Sequence, residues 1–274
     1  MINITIMGGL GNQMFQWACA RSMQEKYDHF IRYDLSFYEN QTHRSFALKS
    51  FPNIKFNTKP EQAHGPYQTS IVDYFDYERF NQPSNKYEWY VMFGYWQSEK
   101  YFKENEDIIR KELAAGDEIR YNIEKSYNWL GSEDTVSIHI RRTDYVTSNG
   151  VHPVQPISYY EQALDLIDHE KILVFSDDIE WCKNTLPFSN MEFAETNSDL
   201  EDLYLMSECN NNVIANSSFS WWGAWLNDNQ NKKVIAPSNW FGPTCDHSSK
   251  DIVPETWIRR NKDESISFNA SLQY

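Results

Sequence analysis

Three short apolar runs in the second half of the chain each stop abruptly in a cluster of polar side chains, and this pattern narrows the fold more than any other feature. Val136, Ile138 and Ile140 alternate with Ser137 and His139, the period of a strand, and lead into Arg141-Arg142-Thr143-Asp144. Ile172-Leu173-Val174-Phe175 is an uninterrupted apolar run typical of a buried parallel strand, and it leads into Ser176-Asp177-Asp178. Val213-Ile214-Ala215 leads into Asn216-Ser217-Ser218, and Val234-Ile235-Ala236-Pro237 closes the series. Helical stretches are predicted between them over 157–167, 179–186, 199–209 and 219–226, the first opened or capped by Ser158. Strands alternating with helices specify a parallel sheet with right-handed crossovers. In such a sheet the three polar ends share one edge, the edge at which open α/β sheets bind ligands.

The chemistry at that edge is complementary. Residues 135–149 run from a strand into a polar loop that carries His139, Arg141, Arg142, Asp144 and Tyr145 and ends at Asn149. A planar guanidinium bonds two phosphate oxygens at once, so Arg141 is expected on a phosphate, with Arg142 either helping or held in a structural ion pair. Ser217 and Ser218 stand where a helix begins, and hydroxyls and free N–H groups there favour an anion. An aspartate such as Asp177 accepts hydrogen bonds from a base or ribose, and it equally serves as a helix cap. His139, on the strand face opposite Ile138 and Ile140, is given a positioning role only.

The first half is less regular. Ile2 to Ile6 alternates as a strand and runs into Gly8-Gly9-Leu10-Gly11-Asn12-Gln13, read as a glycine-rich turn before a helix from Met14 to Arg21. Strand, glycine turn and helix is the arrangement that brings backbone N–H groups to a phosphate, although the P-loop lysine is missing. Residues 28–95 hold scattered aromatics, among them Phe46, Phe51, Phe75 and Tyr87, with a strand expected at 91–96 and a helix over 98–118. The polar run at 116–134 suggests a division into residues 1–130 and 131–274.

A net charge of −14 makes nucleic acid and anionic membranes poor partners for the chain as a whole, so a local arginine site is the more specific for it. Cys19, Cys182, Cys209 and Cys245 form no CxxC pair, which excludes zinc-finger spacing and reads as four reduced thiols. There is no basic leader and no run near the ~20 apolar residues of a membrane span, so a cytoplasmic protein is expected. Asn216-Ser-Ser and Asn269-Ala-Ser match the glycosylation pattern, which has no consequence in that compartment.

His139-Ile140-Arg141-Arg142-Thr143-Asp144-Tyr145 resembles the HxRRxDY motif of fucosyltransferases. The segments 8–16, 175–178 and 216–226 resemble the other motifs of the α-1,2-fucosyltransferases of glycosyltransferase family 11, in the expected order, whereas 28–130 match none. The resemblance implies an α/β fold of GT-B type: two Rossmann-like domains facing across a cleft, the C-terminal one holding GDP-fucose. It implies inverting transfer of fucose to the 2-hydroxyl of a terminal galactose on an oligosaccharide acceptor, with no metal and no other cofactor required. Arg141 would then meet the donor phosphates with Arg142 and His139 beside it, and Asp177 or Asp178 would face the guanine. Asn216, Ser217, Ser218, Phe219 and Ser220 would lie at the diphosphate, and Gly9, Gly11, Asn12 and Gln13 would close over fucose and phosphate from the other domain. Asp144 is expected either to take the acceptor proton or to orient an arginine. Enzymes of this kind in bacteria build O-antigens or blood-group mimics in the cytoplasm, where a lipid-linked acceptor would hold them loosely at the inner membrane face. No Asp-x-Asp triplet is present, so charge on the departing GDP must be met by protein groups. A fucosyltransferase of another linkage (α-1,6 or protein O-linked) and a non-catalytic glycan-binding protein remain the alternatives.

Overall fold

The computed structural model describes residues 1–40, 44–56, 68–73, 75–80, 89–148 and 150–260; Asn149, Tyr87, Asn269 and the end of the 131–274 segment lie outside them. Two parallel sheets organise the chain. The first is built from β1 (Ile2–Thr5), β2 (Ile31–Asp34), β3 (Gln68–Val72) and β4 (Trp89–Phe93) in the order β2-β1-β4-β3, with helix α1 (Leu10–Tyr27) following β1. Helices α2 (Glu106–Glu112) and α3 (Asp117–Ser126) then lead to the second sheet.

That sheet contains β5 (Thr135–Ile140), β6 (Lys171–Ser176), β7 (Met191–Phe193), β8 (Asn211–Val213), β9 (Val234–Pro237) and β10 (Ile258–Arg260) in the order β10-β9-β8-β5-β6-β7. Its helices are α4 (Thr143–Thr147), α5 (Ile157–Leu164), α6 (Ile179–Thr185), α7 (Asp199–Glu208) and α8 (Ser218–Leu226). Among the described residues its strands all pair in parallel, and β8, β5 and β6 are neighbours, so the three polar strand ends do share one edge. Every residue of β5 is buried, because α5 covers one face and α7 and α8 the other. Together the two sheets form the GT-B architecture, two Rossmann-like units facing across a cleft.

The units share an interior. One apolar core runs from Ile4 and Met92 through Phe15 of α1 to Trp221 and Trp222 of α8 and on to Leu203 of α7. The Phe15 ring lies 4.5 Å from that of Trp221 and 5.0 Å from that of Trp222. A second core beneath the other face of the C-terminal sheet holds Val136, Ile138, Tyr160 and Leu164. Helices α2 and α3 also lean on the C-terminal unit: Asn122 donates to Glu201, and Tyr204 donates to the Leu113 carbonyl.

Several elements differ from the sequence reading. Helix α1 starts at Leu10, so Gly11, Asn12 and Gln13 are helical, and of the turn glycines only Gly8 has a positive φ, of 82°. The single helix expected over 98–118 is broken into short 3-10 turns followed by α2 and α3. Phe102, at φ −138° and ψ 4°, leaves helical geometry, and its ring stacks 5.3 Å from Trp222. Tertiary packing there overrides the helical period. Strands β2, β3, β7 and β10 are too short or too polar to have been recognised.

Candidate active site

The edge formed by β5, β6 and β8 opens into a cavity of about 430 Å³ between the two units. Gly9, Leu10, Gly11 and Asn12 line it from one side, and Ser217, Ser218 and Phe219 from the other. The two helix starts touch: a Cβ on Gly11 would lie 2.4 Å from the Ser218 carbonyl carbon and 2.5 Å from the Phe219 nitrogen. Trp222 Nε1 donates to the Gly11 carbonyl at 3.0 Å and clamps the pair. A helix start leaves its first N–H groups unsatisfied and carries roughly half a positive charge. Neither α1 nor α8 has an acidic residue in its first turn. Two positive helix ends therefore converge on one cavity with no side-chain anion of their own first turns to neutralise them.

Arg141 enters at the same place. Its Nε donates to Asp144 Oδ1 at 3.0 Å, and its Nη1 lies 3.2 Å from Asp177 Oδ2. The guanidinium is held from two sides yet keeps part of its surface open to the cavity. Asp144 Oδ2 faces Arg44 Nη2 at 3.6 Å, so this carboxylate stands between an arginine of each unit. The Arg44 loop is fixed by Gln13, whose Nε2 donates to the Gly8 and Ser45 carbonyls and whose Oε1 accepts from the Ala47 N–H.

The acidic pair after β6 is occupied. Asp177 accepts from the Arg142 N–H at 2.9 Å and from the Thr143 hydroxyl, so it shapes the arginine loop. Asp178 caps α6 through the Trp181 N–H and pairs with Arg142 Nε at 3.1 Å. Arg142 itself lies 3.7 Å over the Trp181 ring, so its guanidinium is held both by the ion pair to Asp178 and by that ring face. Asn216 joins three loops: it donates to the Trp240 carbonyl, accepts from Gln155, and its own carbonyl accepts from the Tyr145 hydroxyl. His139 is buried, with no hydrogen-bond partner for Nδ1. Burial, then the nearby Arg141 charge, pushes its imidazole down to about 3, so it is neutral at physiological pH.

Of the residues singled out from sequence, Gly9, Gly11, Asn12, His139, Arg141, Asp144, Asp177, Asn216, Ser217, Ser218 and Phe219 line the cavity. Gln13, Arg142, Asp178 and Ser220 stand behind it, Ser220 through a bond to the Ser217 carbonyl. Sequence reasoning missed Arg44, Phe75, Tyr95, Asp199, Asp202, Phe241 and His247, all of which line it. Asp202 accepts from Thr196 at 2.8 Å through Oδ1, and burial pushes its carboxyl up to about 6. Phe75 and Tyr95 are placed by one buried carboxylate: Asp73 accepts from the Phe75 N–H through Oδ1 and from the Tyr95 and Trp96 N–H groups through Oδ2. Phe75 sits at φ 53°, a region that a bulky side chain enters only under constraint.

The model of the family described as "Glycosyl transferase family 11" matches residues 1–261. An Escherichia coli protein named O-antigen biosynthesis glycosyltransferase WbnK is 31% identical, over 92% of this chain and 98% of its own length. An E. coli α-1,2-colitosyltransferase is 33% identical, over 94% and 98%. The mouse galactoside 2-α-L-fucosyltransferase Sec1 is 27% identical, over 82% of this chain and 64% of its own.

Proposed function

The chain belongs to glycosyl transferase family 11 and is a glycosyltransferase of the fucosyltransferase type; on that premise we propose that it moves L-fucose from GDP-β-L-fucose to the 2-hydroxyl of a terminal β-galactoside, with inversion to an α-1,2 linkage. The observation that carries the reading is the meeting of Arg141 with two helix starts whose first turns hold no acid, on one cavity. The acceptor O2 attacks C1 of fucose from the face away from GDP. The C1–O bond breaks with its electron pair passing to the β-phosphate, and the O2 proton leaves to a base. Arg141, Arg44 and the N–H groups of α1 and α8 meet the charge that develops on GDP, and in this reading no metal takes part.

Asp144 is assigned the orienting role. Both of its oxygens are engaged on guanidiniums, Oδ1 on Arg141 and Oδ2 on Arg44, so it fixes the two arginines. Asp202 is assigned to the guanine, whose N1–H and N2–H₂ both point donors at a single acceptor. Asp177 and Asp178 have their oxygens engaged on the arginine loop and the α6 cap. The likeness to a colitosyltransferase favours a second donor, GDP-colitose, whose sugar is fucose without the 3-hydroxyl. Among the described residues no helix is long and apolar enough to cross a membrane.

The test is to incubate purified protein with GDP-fucose and with GDP-colitose over a panel of β-galactosides, and to map the product linkage by NMR. Transfer to O2 of galactose is expected. Transfer to another position would remove the linkage, and failure to bind GDP in calorimetry would favour a glycan-binding protein.

A further inference from the structure

One end of the cavity is a wall of partly exposed rings. Phe75 stacks on His247 with centroids 4.1 Å apart and planes at 20°. Phe241 meets Phe75 edge to face at 5.5 Å and approaches His152 at 6.1 Å. His152 stacks on Tyr145 at 5.0 Å, and the Tyr145 ring lies 5.6 Å from the Arg141 guanidinium. The rings thus form a continuous series that begins beside the anion-binding centre. They come from both units: Phe75 from the loop after β3, Tyr145 from α4, His152 from the loop after it, and Phe241 and His247 from the segment after β9.

Two features separate this wall from ordinary core packing. Its rings are not sealed in: His247 is exposed, and Phe75, Tyr145, His152 and Phe241 are only partly covered while lining the cavity. Phe75 is also held in the left-handed region by the Asp73 clamp, a constraint that places its ring at the cavity at some conformational cost. Backbone strain of this kind is found where geometry serves a site.

We propose that this wall is the acceptor subsite, and that it takes the apolar face of a terminal β-galactopyranoside. The axial 4-hydroxyl of galactose leaves C3–H, C4–H and C5–H together on one face, and such a face stacks on an aromatic ring. The imidazoles of His152 and His247 add polar groups of the kind that fix orientation in an otherwise apolar pocket. Methyl β-glucoside, with an equatorial 4-hydroxyl, presents a broken apolar face and stacks less well. The proposal rests on the donor reading of the same cavity, because it places the acceptor beside Arg141.

The experiment is saturation-transfer NMR titration of the protein with methyl β-galactoside and methyl β-glucoside, alongside GDP calorimetry and thermal melting, for wild type, Phe75→Gly and Phe241→Ala. Glycine relaxes the φ 53° constraint and offsets part of the lost ring packing, so Phe75→Gly is expected to stay folded and to melt within about 5 °C of wild type. Its galactoside affinity is expected to fall about threefold to tenfold, the size of one aromatic face, with saturation lost at H3, H4 and H5. GDP affinity is expected to hold in both variants. A galactoside affinity reduced less than about threefold in both variants, or equal binding of glucoside by wild type, overturns the subsite. Galactoside binding that depends on Phe75 in a protein that does not bind GDP would uphold the wall and remove the donor reading.

Discussion

Gly11→Ala tests the arrangement of the two helix starts. A methyl group there would lie 2.4 Å from the Ser218 carbonyl carbon, against 3.4 Å for ordinary contact, so the ends of α1 and α8 must separate by about 1 Å. The atoms met are backbone at the cavity wall, on helices anchored in the shared aromatic core, and have no rotamer to escape into. Overpacking of this kind costs about 1–3 kcal/mol. For a chain of this size that lowers the melting temperature by roughly 2–12 °C. The larger effect is on catalysis, because the N–H groups that would meet the departing diphosphate are displaced by the same distance, and a 1 Å misplacement costs on the order of 10²-fold in rate. The assay is turnover of GDP-fucose onto a β-galactoside together with a thermal melt. Gly9→Ala is the control: its methyl meets only the end of the Arg44 side chain, at 2.7 Å, and the melting temperature should move by less than about 2 °C. A Gly11→Ala protein with wild-type melting and turnover within about twofold would refute the reasoning.

Arg141→Ala should lower turnover by about 10²–10³, the usual loss of one preorganised charge donor, while thermal melting stays near wild type. Asp144→Asn should keep the acidic limb of the wild-type pH–rate profile and lose rate through a misplaced Arg141; disappearance of that limb would make Asp144 the base. The Asp202 carboxyl, raised by burial to about 6 from an unfolded value near 4, holds its proton more tightly in the folded state. Its contribution to stability is thus present at acid pH and is lost as pH rises from about 4 through about 6, a decline that Asp202→Asn should abolish in melts across that range. Only the ionised form accepts from both guanine donors, so wild-type GDP affinity should fall as pH drops through about 6, and Asp202→Asn should show weaker, pH-independent binding by about 10- to 100-fold in calorimetry.

What the sequence makes legible follows from period and contrast. The alternation at 136–140 and the apolar run at 172–175 are strong signals because both sheet faces there are covered, and their polar ends fall on the edge that parallel pairing requires. Strands β2 and β3, with sequences IRYD and QTSIV, lie at the two outer positions of their sheet and lack that contrast. Gly11 is legible in the sequence as a position of close backbone approach, but not as a helical one: it stands in the first turn of α1, where its size lets α8 come near. Arg44, Phe75 and His247 stand in loops, where no period marks a residue, and they gather only through tertiary contacts such as the Asp73 and Gln13 clamps. Asp202 had one signal, a carboxylate in the first turn of a helix, but that position equally suits the helix dipole.

The aromatic interior common to both sheets limits how the enzyme can breathe. Swinging the lobes apart on a hinge would wet Phe15, Trp221 and Trp222, each now almost fully covered, at about 25 cal/mol for every Å² of apolar surface exposed. On the proposed reading, entry of the nucleotide sugar and departure of GDP are accordingly left to rim side chains such as Arg44, and heating should dissolve the two lobes in one cooperative step.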